Sequence, residues 1–407
     1  PMAHLQCSAT GCGTTLDLHH RAHSCPKCGE LLEVVIDPPQ EDPAALKQRW
    51  LNRRLSYDLR DTSGVWRFRE FLPDCYGPEG VITLSEGNVP LVRAQKSAAW
   101  VGLQHLSFKH LGWNPTGSFK DLGMTAGITE AKFVGATAVA CASTGNTAAS
   151  LAAYAARAGV IGRVYLPAGQ TSQNKLAQAL DFGAELVEID GSFDDALNTL
   201  LNSSDPSLYF LNSINPFRIE GQKTAMFELL EQLLWQPPDY LVVPGGNLGN
   251  SSAFGKAFIE LKKYGFIDKV PRIVIVQAHG ANPLARMWES GAAELEAVAH
   301  PETDATAIRI GNPRSWRKSL QGVRFTNGFV MDVTDEEIGE AKAMIGRDGI
   351  GCEPASATTL AGIRKLTAAG KLERDARVVA ILTGHVLKDT DYIVKAQKKI
   401  QSAERSR

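Results

Sequence analysis

The sequence predicts an α/β protein of two three-layer lobes, each a mostly parallel sheet with helices on both faces, preceded by a small cysteine-rich module. Three observations predict this. From Leu103 onward short apolar runs alternate with longer amphipathic ones, glycine- or hydroxyl-rich loops follow several of those runs, and two cysteine pairs stand apart within the first 36 residues. At 407 residues and 44% hydrophobic content the chain can bury the cores of about two or three domains. A net charge of −1 supplies no basic field for nucleic acid and no acidic excess for disorder.

Pro1 to Ile36 form the module. Cys7 and Cys12 are separated by four residues and Cys25 and Cys28 by two, and each pair ends in Cys-Gly, the turn that aims amides at a metal-bound thiolate. That is a zinc-ribbon pattern. The first spacing is long, so His19, His20 and His23 are alternative ligands; the alternative to metal binding is a ribbon that has lost its metal and is held by its short strands. Seven cysteines are an odd count, which argues against a closed disulfide framework. Cys75, Cys141 and Cys352 read as isolated small core residues. DPPQEDP is a linker, and Pro43 to Phe71 carries an Arg/Leu/Trp-rich helical pattern ending at Pro73.

Strands are expected at Leu106–His110, Ala136–Ala142, Gly162–Pro167, Leu186–Asp190 and Tyr209–Leu211, then at Tyr240–Val243, Arg272–Gln277 and Val378–Leu382. No apolar stretch approaches the roughly 20 residues of a membrane span, and PMAHLQCSATG lacks the layout of a signal peptide. The expectation is a cytoplasmic protein, with the basic tail from Lys395 to Arg407 a solvated helix end.

Lys120 stands in GWNPTGSFKDLG. Pro115 and Gly117 mark a turn, Thr116 and Ser118 are helix-capping residue types, and Phe119 to Ala126 reads as the first turns of a helix. A half-buried amine at such a start has its charged form disfavoured and can attack a carbonyl. By itself it reads as a surface lysine. The loops downstream change that. STGNTAAS, after the strand ending at Ala142, offers hydroxyls and helix N-terminal amides suited to a carboxylate, and Asn146 adds an amide for a phenolate-type oxygen. In PGGNLGNSS, residues Gly245, Gly246, Asn247, Leu248, Gly249 and Asn250 bring backbone amides to the start of a helix, the design for a phosphate. The lysine of a nucleotide P-loop is missing and the glycine spacing does not fit a dinucleotide fingerprint, so a single phosphate of a small cofactor fits better. TGH sets the Thr383 hydroxyl at a strand end. NSINPFRIEGQKT sets Arg218 among amides and hydroxyls, either paired with Glu220 or receiving a second anion. A Schiff-base lysine, a phosphate cup, a carboxylate loop and a distal hydroxyl together describe pyridoxal 5′-phosphate.

These segments, with LSEGNVPL and EPASAT, resemble the tryptophan-synthase-like, fold-type-II pyridoxal-phosphate enzymes from about Leu84 to Asp389, and NPTGSFKD, NSINPFRIEGQKT and TGHVLKD are similar to the threonine synthases among them. The resemblance implies a large cofactor-binding domain over 37–123 and 206–407 and a small domain over 124–205, beside the 1–36 module. It implies that Lys120 holds the cofactor as a Schiff base and then moves protons, that Asn146 meets the ring's 3′-oxygen, that residues 245–250 hold its phosphate and that Thr383 faces the ring nitrogen. The implied substrate is O-phospho-L-homoserine, its carboxylate on the loop of Ser143, Thr144 and Thr147 and its phosphate near Asn212, Ser213 and Arg218. The products would be threonine and phosphate, the assembly a homodimer, with no nucleic-acid or membrane partner. A dehydratase acting on threonine or diaminopropionate with the same cofactor is the alternative, and would not need an anion site at Arg218. Val386 stands where a glycine is common, so a changed loop shape is expected there.

Overall fold

In the computed structural model, which describes residues 3–37, 39–169 and 173–396, the alternating pattern resolves into two lobes, each with its own sheet. The larger sheet runs Phe329–Val333, Arg272–Ala278, Tyr240–Pro244, Arg377–Leu382, His105–His110, Leu91–Arg93, all parallel except the last pair. Its central strands are buried almost throughout. Helices cover both faces, which is why these strands read as continuous apolar runs. All eight expected strands form. The two that sequence reasoning missed, Leu91–Arg93 and Phe329–Val333, are the sheet's edges, where half-exposed positions leave no apolar run.

The smaller sheet runs Glu185–Ile189, Ile161–Pro167, Ala138–Ala142, Leu208–Phe210, all parallel. Leu208–Phe210 pairs with Ala138–Ala140, so this lobe reaches past the boundary expected at residue 205.

Pro43 to Phe71 is not one helix. It breaks into a helix at Pro43–Arg53, a single turn at Leu59–Thr62 and a 3-10 segment at Trp66–Phe71. Asp58 starts the second piece by accepting from Arg60 N at 3.0 Å. Gly64 then lies so close to Gly87 that a Cβ would stand 2.5 Å from the Gly87 Cα. That approach fixes the bend and seats Trp50 and Trp66, both fully buried.

The helix Lys120–Phe133 packs against the helix Pro216–Gln232 nearly backbone to backbone. A Cβ at Gly221 would lie 1.9 Å from Leu122 O, and one at Gly123 2.7 Å from Arg218 O. Only glycine permits this contact, which brings Lys120 and Arg218 to one cleft.

The module is a three-stranded antiparallel ribbon, Thr15–Asp17, Ala3–Cys7, Leu32–Ile36, that touches both lobes. On one side Arg21 donates to Val134 O at 2.7 Å and Pro206 O at 2.6 Å, and on the other Arg317 pairs with Glu30 at 3.0 Å. The three alternative histidine ligands are used in this docking or locally. His19 Nδ1 meets Glu130 Oε1 at 3.0 Å, the His23 ring lies 4.4 Å from that of Phe210, and His20 Nδ1 accepts from Ala22 N at 3.1 Å. Among the described residues no helix is long and apolar enough to cross a membrane. The basic tail beyond residue 396 lies outside the described residues.

Candidate active site

Lys120 is the first residue of its helix, and two segments clasp it in place. Ser118 bridges Gly384, Phe119 N donates to Thr383 O at 3.0 Å, and His385 N donates to Gly117 O at 2.8 Å. Gly117, at φ +88°, closes the turn with its N–H on Asn114 O at 2.9 Å. The expected cap differs in detail. Ser118 Oγ accepts from Lys120 N at 3.3 Å, but Thr116 caps no helix amide: it donates to the Asp121 side chain in the helix's first turn, through its N–H at 2.7 Å and its hydroxyl at 2.6 Å. Ser150 Oγ adds a third bond to Asp121 at 2.6 Å, tying the lysine turn to the helix Asn146–Ala158 of the small lobe. Burial pushes the Asp121 carboxyl up to about 6.

The Lys120 amine lies 4.3 Å from the centre of the Phe119 ring. Burial, and after it the Arg218 cation, bring its pKa down to about 7. An ordinary lysine is almost wholly protonated at neutral pH; this one is about half neutral.

A cleft of 2130 Å³ opens above it, lined by Lys120, residues 143–147, Asn212, Ser213, Arg218, residues 246–250, Glu353 and Thr383. Of the expected cup, Gly245 does not face the cleft. Its N–H belongs to the sheet, donating to Val276 O at 2.8 Å, and a Cβ there would lie 2.7 Å from Ile275 Cγ2. Gly246, Asn247, Leu248 and Gly249 form the turn proper. Leu248 takes the left-handed conformation at φ +65°, strain that a branched side chain adopts only where the surroundings impose it. Asn250 Nδ2 donates to Pro244 O at 3.2 Å and closes the loop ahead of the helix Gly249–Lys263. Helix-start amides, a strained turn and a neutral lysine fit pyridoxal phosphate.

On the far wall Glu353, buried, accepts from Asn146 Nδ2 at 2.9 Å and from Thr383 Oγ1 at 2.9 Å. Ser356 Oγ stands 2.9 Å from Thr383 Oγ1 and accepts from Thr383 N at 2.8 Å. By sequence alone EPASAT assigns no role to Glu353 or Ser356. The available signal was an acid before Pro354 in an otherwise apolar, small-residue segment. Val386 packs over Gly351, whose φ of +68° leaves room, a Cβ there being 3.1 Å from the valine Cβ.

Asn215 accepts from Phe217 N at 3.0 Å and Arg218 N at 3.3 Å, starting the helix that carries Arg218. Arg218 does not pair with Glu220, whose carboxylate is taken by Lys223 at 2.5 Å and by Lys256. Residues two apart on a helix point to different sides. Arg218 is 1% exposed; its Nη1 donates to Leu211 O at 2.9 Å, while Nε and Nη2 have no partner. Burial lowers its pKa to about 10, so it is still a cation at neutral pH. A buried charge with no counter-ion costs several kcal/mol unless an anion arrives. Asn212 and Ser213 line the same recess, although Asn212 Oδ1 already accepts from Ala142 N at 3.1 Å.

In the ribbon the Sγ atoms of Cys7, Cys12, Cys25 and Cys28 all lie within 4.8 Å of one another, with Cys7 and Cys28 at 3.4 Å and Cys12 and Cys25 at 3.8 Å. Tetrahedral zinc with bonds of about 2.3 Å sets its sulfurs about 3.8 Å apart, so the set fits the metal. Cys141 and Cys352 are buried as expected, whereas Cys75 is exposed and not a core residue.

A family model of pyridoxal-phosphate dependent enzymes matches residues 82–384. Over 390 residues the chain is 44% identical to a protein of Methanocaldococcus jannaschii named threonine synthase, covering 95% of this chain and 94% of that one. It is also 44% identical over 333 residues to the threonine synthase of Mycobacterium tuberculosis, 81% and 89% of the two chains. The chain belongs to the threonine synthase family of pyridoxal-phosphate dependent enzymes. The solved threonine synthase of Escherichia coli superposes with a TM-score of 0.68 at 19% identity over 91% of this chain and 86% of that one. A tomato threonine deaminase gives 0.63 at 20% identity, over 88% and 90%. Both are neighbours in fold, and fold type II is shared by synthases and deaminases of this family.

Proposed function

We propose that the protein converts O-phospho-L-homoserine and water to L-threonine and phosphate, the last step of threonine biosynthesis. Family membership supports this. Within the structure, one observation carries it: a buried arginine without a counter-ion, set beside a lysine whose pKa burial brings down to about 7.

Bound between Lys120 and the turn of Gly246 to Asn250, pyridoxal phosphate supplies an electron-accepting ring that stabilises negative charge next to the substrate's amino group. Asn146 and Thr383, each oriented by Glu353, would meet that ring from the far wall. The helix-start amides and hydroxyls of Ser143, Thr144 and Thr147 hold the substrate carboxylate. Lys120 Nζ removes the α-proton and then a β-proton. The γ C–O bond breaks, its electron pair leaving with phosphate, whose growing charge is met by Arg218, Asn212 and Ser213. Water then adds at the β-carbon, and Lys120 returns protons. A dehydratase would need no cation at 218. The deciding experiment supplies O-phospho-L-homoserine to the cofactor-loaded enzyme and measures phosphate, threonine and ammonia. Equimolar phosphate and threonine are expected; no phosphate from this substrate, with ammonia released when L-threonine is supplied instead, would establish the dehydratase.

Zinc at Cys7, Cys12, Cys25 and Cys28, a homodimer and a cytoplasmic setting complete the reading. Metal analysis should find about one zinc per chain, lost in a Cys25→Ser variant, whose ribbon should then exchange amide hydrogens rapidly while the lobes stay protected. A metal-free native protein with a protected ribbon would refute the zinc.

A further inference from the structure

One turn beyond Arg218, on the same face of its helix, stands Gln222, which lines the same cleft and is 3% exposed. Its Oε1 is buried and has no hydrogen-bond partner. A buried carboxamide oxygen without a donor costs about 1–3 kcal/mol, and such atoms in native proteins call for a reason. The backbone explains how it came to be there. Gly123 faces both residues, a Cβ at that position standing 2.9 Å from the Gln222 amide nitrogen and 3.1 Å from Arg218 Cβ. The missing side chain of Gly123 leaves the space that the Gln222 carboxamide and the base of the Arg218 side chain occupy.

Three orphaned atoms therefore share this recess: Arg218 Nε, Arg218 Nη2 and Gln222 Oε1. Two are donors and one is an acceptor, and residues four apart on a helix are neighbours whose side chains can bond. An anion approaching the guanidinium end-on engages Nη1 and Nη2 and leaves Nε pointing back along the helix. A bond from Nε to Gln222 Oε1 then satisfies the last donor and the last acceptor together.

We propose that Gln222 is a positioning residue for Arg218: its carboxamide oxygen accepts from Arg218 Nε when an anion is bound, fixing the guanidinium plane so that both terminal nitrogens address the substrate's phosphate. Nη1 is anchored on Leu211 O at 2.9 Å. That single bond leaves the plane free to rotate about it, and the second bond removes that rotation. Preorganising a fork matters most where charge develops on the leaving group, because a fixed donor pair needs no rearrangement as the C–O bond breaks. The inference rests on the proposed phosphate-expelling reaction and adds a residue to it.

The test is a double-mutant cycle on the cofactor-loaded enzyme with inorganic phosphate as the probe, measured by calorimetry, using Gln222→Met, Arg218→Leu and the double variant. Gln222→Met should weaken phosphate binding at least about tenfold, as loss of a hydrogen bond to a charged group does, with cofactor absorbance unchanged and the unfolding midpoint of the phosphate-free enzyme no lower. It should also lower kcat for phosphate release more than it raises KM. In the Arg218→Leu background the same change should have no further effect on residual phosphate binding, because the residue it serves is gone. Wild-type phosphate affinity in Gln222→Met, or equal effects with and without Arg218, would overturn the proposal while leaving the reaction intact. A native enzyme that neither binds phosphate nor releases it from O-phospho-L-homoserine would overturn both.

Discussion

Replacing Lys120 with alanine will cut phosphate release from O-phospho-L-homoserine at least about 10³-fold, the range expected when a positioned acid–base group is lost. Pyridoxal phosphate should still enter the cleft, held by the Gly246–Asn250 turn, but without the long-wavelength absorbance of the lysine-linked cofactor. The lysine's protonation gives a second readout, independent of turnover. Its pKa of about 7 lies far below the roughly 10.4 of a free lysine, through burial first and the Arg218 cation second. Only the neutral amine attacks a carbonyl. The rate at which cofactor-free protein captures pyridoxal phosphate should therefore rise as pH passes through about 7 and flatten above it. Removing the neighbouring cation with Arg218→Leu should move that midpoint upward. The stability of the cofactor-free protein follows with a defined sign. The folded pKa is depressed, so between about pH 7 and about 10.4 the unfolded chain binds more protons than the folded one, and stability increases with pH across that window. Lys120→Ala should flatten this rise. A variant retaining more than about a tenth of native turnover would remove Lys120 from proton transfer.

Sequence reasoning found most strands of both sheets and the loops that line the cleft because the chain marks them locally. Strands buried on both faces, such as Tyr240–Pro244, are written as apolar runs, and the cofactor loops sit directly behind them. What escaped is written in long-range contacts. Glu353 reaches Asn146 from 207 positions away in sequence, and nothing in EPASAT reveals that its acid is buried between an amide and a hydroxyl. Gly245 looks like its neighbours in PGGNLGN, and only the register of Pro244 on Val276 shows that its amide is spent on the sheet. Thr116 is a capping residue type, but its hydroxyl donates to the Asp121 side chain instead of accepting from a helix amide. The choice between ion pair and anion receptor at Arg218 was open in the sequence. Lys223 and Lys256 occupy Glu220, which removes the ion pair and leaves the anion reading as the proposal.

Arg218→Leu should separate function from stability in opposite directions. Phosphate release should fall about 10²-fold to 10³-fold in kcat/KM, because a charged donor pair aimed at a developing anion is lost. Arg218→Lys should recover part of this through charge, but not the bidentate geometry. The unfolding free energy of the leucine variant should rise, by about 1–4 kcal/mol less the roughly 1 kcal/mol of the bond to Leu211 O, because a buried cation with two unpartnered nitrogens is replaced by an apolar side chain. Added phosphate should raise the melting temperature of the native protein and move that of the leucine variant far less, since a ligand stabilises a fold only as far as it binds it. A structural arginine would behave otherwise: its loss would lower stability, phosphate would have no selective effect, and turnover would fall only as far as the fold did. Here the energetic penalty of the empty site is the same property that gives the site its affinity for phosphate, so a variant that relieves the penalty cannot keep the turnover.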